Sequence, residues 1–163
     1  MLHSILIKSI GSDVLERKTI EINHLLLDIF QNMTKYEEYS LQRGELKELS
    51  ITEIHTIECI GQHKTVSMSQ VAAELGITQS TLTVAVDKLV KKNYVIRQRD
   101  ENDRRVVMIK LENKGRLAYK MHERFHKLLV RRMTTELTQN EEDIVISSMG
   151  KINSFFNMLW KEI

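Results

Sequence analysis

The segment from Ser67 to Leu111 constrains the fold most, because its apolar periodicity changes from helical to strand-like along its length. Val71 and Leu75 give a short first helix an apolar face, and Gly76 permits a sharp turn because it has no Cβ atom. A second helix follows the turn, and this order is typical of a helix-turn-helix unit. A purely structural corner between two helices has the same pattern, so the residues that follow must decide between the two.

A charged β-hairpin follows the second helix. Strand-forming residues are concentrated at Tyr94–Arg97 and Val106–Ile109, and the polar residues Asp100–Asp103 join the two runs. The sequence therefore predicts a mainly α fold, of the α+β type, that contains a winged helix-turn-helix. DNA binding becomes the favoured interpretation of the helix-turn-helix once this wing is added.

Capping patterns predict where the other helices begin. Capping boxes occur at Ser50–Glu53, Ser67–Gln70 and Thr138–Glu141, and Thr78 can cap a further helix. The chain contains no proline and only six glycines, which favours long uninterrupted helices. The predicted helices span residues 12–39, 50–61, 67–75, 78–93, 114–137 and 138–160, with a loop at 42–45.

We expect one domain over residues 1–163, with the DNA-binding region at 46–113 and dimerisation helices at 12–45 and 114–163. The apolar stripe of the first helix is typical of a core helix, but it is richer than one small domain needs to cover, which indicates a homodimer interface instead. Its members are Ile22, Leu25, Leu26, Ile29, Phe30 and Met33.

Charge is distributed unevenly. The net charge is only +2, but the residues between Lys88 and Arg132 include fifteen Lys/Arg and five Asp/Glu. A basic centre of this kind favours a polyanion partner, although a solvated helix face has the same composition. No apolar run approaches the ~20 residues that span a bilayer. The segment before Ser12 lacks the features of a signal peptide, and Cys59 cannot form an internal disulfide, so we expect a cytoplasmic protein without a membrane partner or cofactor.

Short polar side chains on the second helix are the first candidates for contact with double-stranded DNA, because they let a helix approach base edges in the major groove. The wing tip adds two arginines, and Asp103 could hold one of them in a fixed orientation. The full set of candidate DNA-binding residues is Ser67, Ser69, Gln70, Gln79, Ser80, Thr81, Thr83, Lys88, Asp103, Arg104 and Arg105.

Five segments together resemble the MarR family of transcriptional regulators. They are Glu74–Thr78, Thr81–Thr83, Asp87–Val95, Asp100–Arg105 and Lys110–Gly115. The resemblance implies an obligate dimer formed by the N- and C-terminal helices, with a winged helix-turn-helix on each side that occupies a pseudo-palindromic operator.

The resemblance also implies roles for particular residues. Base contacts would come from the first turn of the Gln79–Asn93 helix, and Arg105 would enter the minor groove. The sequence departs from the family pattern in two respects. Val84 and Ala85 stand where many members carry an arginine, which indicates that bases are recognised through polar and methyl contacts. Glu112 replaces a usual threonine cap.

Within the family, Ser50–Ile57 and Arg116–Lys127 are most similar to the fatty-acid-synthesis repressors of Gram-positive bacteria. That similarity implies a repressor whose co-repressor is acyl carrier protein bearing a long acyl chain. A small-molecule effector is the other possibility that the sequence leaves open.

Histidines provide two alternatives. His55, His122 and His126 could converge on a regulatory zinc ion, with Cys59 one turn after His55, as histidines on the corresponding helices do in zinc-sensing members of the family. The run from His122 to His126 also matches the His-Glu-x-x-His pattern of zinc hydrolases, with Glu123 as the general base. The pattern is short and no third ligand is marked, so we expect no enzyme activity, and packing or solvent-exposed histidines remain the simplest interpretation.

Overall fold

The computed structural model describes residues 2–101 and 103–159, and side chains from residue 15 onward. Six α-helices and three strands occur among these residues. In chain order they are α1 (Leu2–Arg43), α2 (Ile51–Gly61), β1 (Val66–Ser67), α3 (Met68–Glu74), α4 (Gln79–Lys91), β2 (Val95–Arg99), β3 (Val107–Leu111), α5 (Asn113–Met133) and α6 (Gln139–Leu159). The mainly α fold with a winged helix-turn-helix is confirmed.

The predicted caps are present. Ser50 and Ser67 each accept a hydrogen bond from the backbone three residues on, and Glu53 and Gln70 complete the two capping boxes. Thr78 caps α4 by accepting from the backbone N–H of Thr81. These bonds satisfy amide groups that have no partner inside the helix, which is why α2, α3 and α4 begin where the sequence predicts.

Several helix ends differ from the expectation. The first helix begins at Leu2 rather than Ser12, because a single glycine such as Gly11 costs only about 1 kcal/mol inside a helix and does not stop it. The same helix continues to Arg43, into the predicted loop. In contrast, α4 ends at Lys91 because Asn93 adopts a left-handed conformation with φ of 62°.

The three strands form one antiparallel sheet in the order β1-β3-β2. Strands β2 and β3 form the predicted hairpin, with Val95 opposite Leu111 and Arg99 opposite Val107. The short strand β1 was not predicted; its Val66 pairs with Ile109. It fixes the start of α3 to the hairpin, so the sheet links the helix-turn-helix to the wing.

The chain divides into two compact units, Met1–Ala118 and Tyr119–Ile163. The core of the first unit consists of apolar side chains from α2, α3, α4 and the sheet. Ile54, Ile57, Val71, Leu82, Val86, Leu89 and Ile109 are all fully buried. The expected subdivision of a single domain into DNA-binding and dimerisation regions stays a prediction.

Two helices carry long apolar faces that remain exposed. On α1 these side chains include Leu15, Ile20, Ile22, Leu25, Leu27, Ile29 and Phe30. On α6, which has no buried residue, they include Ile144, Ile146, Met149, Ile152, Phe155, Phe156 and Met158. The predicted end of the last helix, at residue 160, lies outside the described residues. Among the helices that the structure describes, none combines the length and apolarity required to cross a membrane.

Candidate nucleic-acid interface

The turn between α3 and α4 is closed by backbone hydrogen bonds. The N–H of Gly76 donates to the carbonyl of Ala73 at 3.1 Å, and Ile77 donates to Ala72 at 3.0 Å. Gly76 has φ of 62°, a conformation that residues with a Cβ atom rarely adopt. The turn fixes the direction in which α4 leaves α3, as the sequence predicts.

A groove of about 420 Å³ runs between the start of α3, the start of α4 and the hairpin. Five of the expected DNA-contacting residues line it. The complete lining is Ser67, Met68, Ser69, Gln79, Thr83, Arg97, Arg105, Val106 and Val107. We call this surface the reading groove. It brings the start of α3 next to the hairpin, although α4 separates the two in the sequence.

Most hydroxyl groups at the start of α4 already form hydrogen bonds within the helix. Thr78 Oγ1 lies 2.8 Å from Ser80 Oγ and 2.9 Å from Thr81 Oγ1, and Thr83 Oγ1 donates to the Gln79 carbonyl at 2.7 Å. The Gln79 side-chain amide has no hydrogen-bond partner among the described residues. Gln79 is therefore the side chain of this turn with both a donor and an acceptor available to a base.

The capping residues of α3 are similarly occupied. Ser67 is buried, and its Oγ accepts from the Gln70 backbone at 3.2 Å while the Gln70 side chain accepts from the Ser67 backbone at 3.2 Å. Ser69 is exposed in the reading groove, with its hydroxyl 3.0 Å from Ser67 Oγ. Ser67 and Gln70 thus orient the start of α3, and a DNA contact from either stays a prediction.

The wing tip is organised by its acidic residues. Asp103 Oδ1 accepts from the backbone N–H of Arg105 at 2.9 Å, and the Asp103 backbone N–H donates to Asp100 Oδ1 at 3.0 Å. The Asp103 carboxylate therefore holds the backbone of Arg105. Arg105 lines the reading groove, whereas Arg104 does not; Arg104 is exposed and its carbonyl accepts from Arg99 at 3.2 Å.

The sequence analysis missed Arg97. This β2 side chain lines the reading groove and forms an ion pair with Asp87 of α4, and its second nitrogen lies 3.4 Å from the Thr83 carbonyl. The pair ties the wing to α4 and neutralises a cation in the groove. Alternation along the strand could have identified it, because Arg97 and the buried Val95 lie on one face of β2.

A polar network behind α4 holds that helix in place. Tyr94 Oη donates to Glu48 Oε1 at 2.6 Å, and Lys114 Nζ lies 2.7 Å from the same oxygen. The hydrogen bond from Lys114 lowers the pKa of Glu48, whereas burial and Glu48 raise the pKa of Tyr94. Lys92, which caps α4, donates to the Glu53 carboxylate at 2.8 Å and to the Glu48 carbonyl at 2.6 Å.

The histidines lie on two helices. His55 Nε2 on α2 is 2.9 Å from Glu37 Oε1 of α1. On α5, the rings of His122 and His126 meet edge to face with centroids 4.4 Å apart, and Glu123 accepts from Lys127 at 2.8 Å. His55 belongs to the first unit and the other two belong to the second, so the three-histidine zinc site stays a prediction.

Cys59 is held as a thiol. Its Sγ donates to Glu74 Oε2 at 3.1 Å, and His63 Nε2 lies 3.1 Å from the other carboxylate oxygen. Burial, together with the neighbouring Glu74 carboxylate, raises the pKa of Cys59 to about 12. A thiol in this state is a poor nucleophile and a poor metal ligand at neutral pH.

The groove, the glycine turn and the wing together define a winged helix-turn-helix protein. The model of the MarR family matches residues 49–107, which contain α2, β1, α3, α4, β2 and the first residue of β3. The uncharacterized HTH-type transcriptional regulator YfiV of Bacillus subtilis is 30% identical over 116 residues, 71% of this chain and 72% of that protein. The chain belongs to the MarR family.

Two further similarities extend this result. The HTH-type transcriptional regulator PchR of Bacillus subtilis is 27% identical over 108 residues, and the match spans 64% of the length of each protein. The crystal structure of Streptococcus pneumoniae FabT in complex with DNA superposes with a TM-score of 0.81 at 37% identity. That superposition covers 85% of this chain and 97% of FabT, so the similarity includes helices outside the winged helix-turn-helix.

Proposed function

We propose that this chain is a transcriptional regulator that binds a pseudo-palindromic DNA operator as a homodimer. The observation that carries the proposal is the reading groove, in which Gln79, Thr83 and Arg105 face one open surface. In this scheme α4 enters the major groove as the recognition helix, and the wing places Arg105 at the adjacent minor groove. Membership of the MarR family and the similarity to a DNA-bound protein support it.

The homodimer is supported by the exposed apolar faces. Phe30 is 68% exposed on α1, and Ile146 is 70% exposed on α6. Faces of this size are rarely left in contact with water, because burying apolar surface contributes about 25 cal/mol per Å². A second copy of the chain would cover both faces by twofold symmetry and present two recognition helices to two half-sites.

We further propose that the chain is a cytoplasmic repressor of fatty-acid synthesis genes, with long-chain acyl carrier protein as co-repressor. The sequence resemblance to the fatty-acid-synthesis repressors supports this assignment, and so does the 37% identity to FabT. If it holds, long-chain acyl carrier protein tightens operator binding and the unacylated carrier protein does not. Equal operator affinity with both forms would contradict the co-repressor assignment and leave DNA binding intact.

Selection from a random duplex library tests the DNA-binding proposal. The full chain should enrich an inverted repeat whose half-sites lie one helical turn apart, about 34–36 Å, or a multiple of that distance. Nuclease protection of the enriched duplex should then cover both half-sites. If no sequence is enriched over the starting library, the proposal is wrong.

A further inference from the structure

One exposed side chain at the centre of the recognition helix is apolar, so recognition of bases by polar contacts alone does not account for it. Val84 is 57% exposed, whereas Leu82, Ala85, Val86 and Leu89 of the same helix are buried. The structure describes every residue of α4, and Val84 is the one exposed apolar side chain among them. A single exposed valine on a protein surface is ordinary, so its position must decide whether it has a role.

The position of Val84 is on the outward face of the helix. Ser80 and Lys88, one turn before and one turn after it, are both exposed and lie on the same side. Val84 also shares a shallow depression with Thr81 and Lys88, next to Thr52 at the start of α2. If α4 enters the major groove with this face, Val84 lies against base edges. Its neighbours on that face, Ser80 and Lys88, are polar, as hydrogen bonding to DNA requires.

The chemistry of valine restricts what it can contact there. An isopropyl group has no hydrogen-bonding capacity, so a polar base edge pressed against Val84 would lose its hydrogen bonds to water without replacement. The thymine 5-methyl group is the apolar feature that the major groove presents. We propose that Val84 is a specificity-determining residue that recognises a thymine methyl group in each half-site; the inference rests on the proposed function.

Deoxyuridine substitution tests this inference, because it removes the methyl group of thymine and leaves base pairing unchanged. The probe is the duplex enriched from the random library, with each thymine replaced in turn by deoxyuridine. At one thymine per half-site, the replacement should weaken binding by the full chain about fourfold, the fold-change that corresponds to ~0.8 kcal/mol for one buried methyl-sized group.

Two variants assign the effect to a side chain. Val84→Ala removes two methyl groups from the outward face and should bind the thymine and deoxyuridine duplexes equally well. Val90→Ala makes the same change on the same helix, but Val90 is half-buried beside Val95 and Asn93, away from the proposed base contacts. It should keep the roughly fourfold ratio of the unmodified chain.

The outcomes separate this inference from the function on which it rests. A thymine-to-deoxyuridine ratio that is unchanged in Val84→Ala, or a selected duplex in which no thymine methyl matters, overturns the role of Val84 and leaves DNA binding standing. Failure to enrich any duplex overturns the proposed function itself, and the assignment of Val84 with it.

Discussion

Gly115 shows how one atom can determine the packing of this fold. It lies in the first turn of α5, where a Cβ atom would approach the backbone carbonyl oxygen of Tyr94 to 2.1 Å. Neither backbone can move without disturbing the hairpin, because Glu112 donates to the same Tyr94 carbonyl at 2.9 Å. The close approach of α5 to the backbone directly before β2 therefore requires glycine.

We expect Gly115→Ala to lower the free energy of unfolding by about 2–4 kcal/mol, since the added methyl group clashes with backbone. Gly150 on α6 is the matched control, because a Cβ atom there would meet nothing of its own chain within 4 Å. Gly150→Ala should raise stability by up to about 1 kcal/mol through helix propensity. Urea unfolding at one fixed protein concentration measures both, and equal effects would contradict the packing argument.

The wing arginines give a second test at the residue scale. Arg105 lines the reading groove and Arg104 does not. We expect Arg105→Ala to weaken operator binding by about 1–3 kcal/mol, the scale of a specific contact. Arg104→Ala should instead weaken binding to all duplexes about equally. It should also reduce the slope of the logarithm of the binding constant against the logarithm of salt concentration by about one unit. Titration of the selected duplex and a scrambled duplex distinguishes the two, and equal losses of specificity would refute the assignment.

Removal of the Asp103 side chain tests the same site, because its charge alone predicts the opposite effect on operator affinity. A carboxylate near phosphates repels DNA, so its removal would tighten binding if Asp103 had no structural role. Because Asp103 Oδ1 holds the backbone of Arg105, we expect Asp103→Ala to weaken operator binding partially. Tighter binding by this variant would show that the hydrogen bond does not position Arg105.

At the scale of elements, much of the architecture was predictable, because caps and glycine turns act locally. The Ser50 and Ser67 boxes, the Thr78 cap and Gly76 each predicted an element start or a turn. Strand β1 was missed because two residues are too few to show the apolar-polar alternation of a strand. Its pairing with β3 is what makes it a strand. Alternation along β2 places Arg97 on the face of Val95, but its ion pair with Asp87 depends on how β2 packs against α4 and could not be predicted.

The capping box of α2 makes the stability of the fold depend on pH. Burial raises the pKa of Glu53, but Lys92 and the Ser50 backbone outweigh it, so the pKa lies below its ordinary value of 4.5. A lowered pKa in the folded state means that Glu53 stabilises the fold above about pH 4.5 and loses this contribution as the pH falls through the folded value.

We therefore expect Glu53→Gln to lower the free energy of unfolding by about 1–3 kcal/mol at pH 7 and to flatten its decline in acid. Glu141 provides the control: the Thr138 backbone lowers its pKa in an equivalent capping box, but it is fully exposed. Glu141→Gln should change the decline of the free energy of unfolding in acid much less than Glu53→Gln does. A Glu53→Gln profile that parallels the unmodified chain between pH 3 and 7 would contradict this account.

At the scale of the whole molecule, the apolar faces of α1 and α6 predict self-association. The chain mass is 19.1 kDa, so sedimentation at micromolar concentration should show one species of about twice that mass. The association should persist at high salt, because apolar burial and not charge drives it. A single species at the mass of one chain would contradict the homodimer.

Salt dependence of duplex binding tests the central claim, that the reading groove and the basic residues around it bind DNA. DNA binding through lysines and arginines releases condensed counterions, so the logarithm of the binding constant falls linearly with the logarithm of salt concentration. Four or more neutralised phosphates would lower the affinity for the selected duplex by at least about a hundredfold between about 50 and 200 mM salt. We predict that loss; a binding constant that does not change with salt would contradict the account.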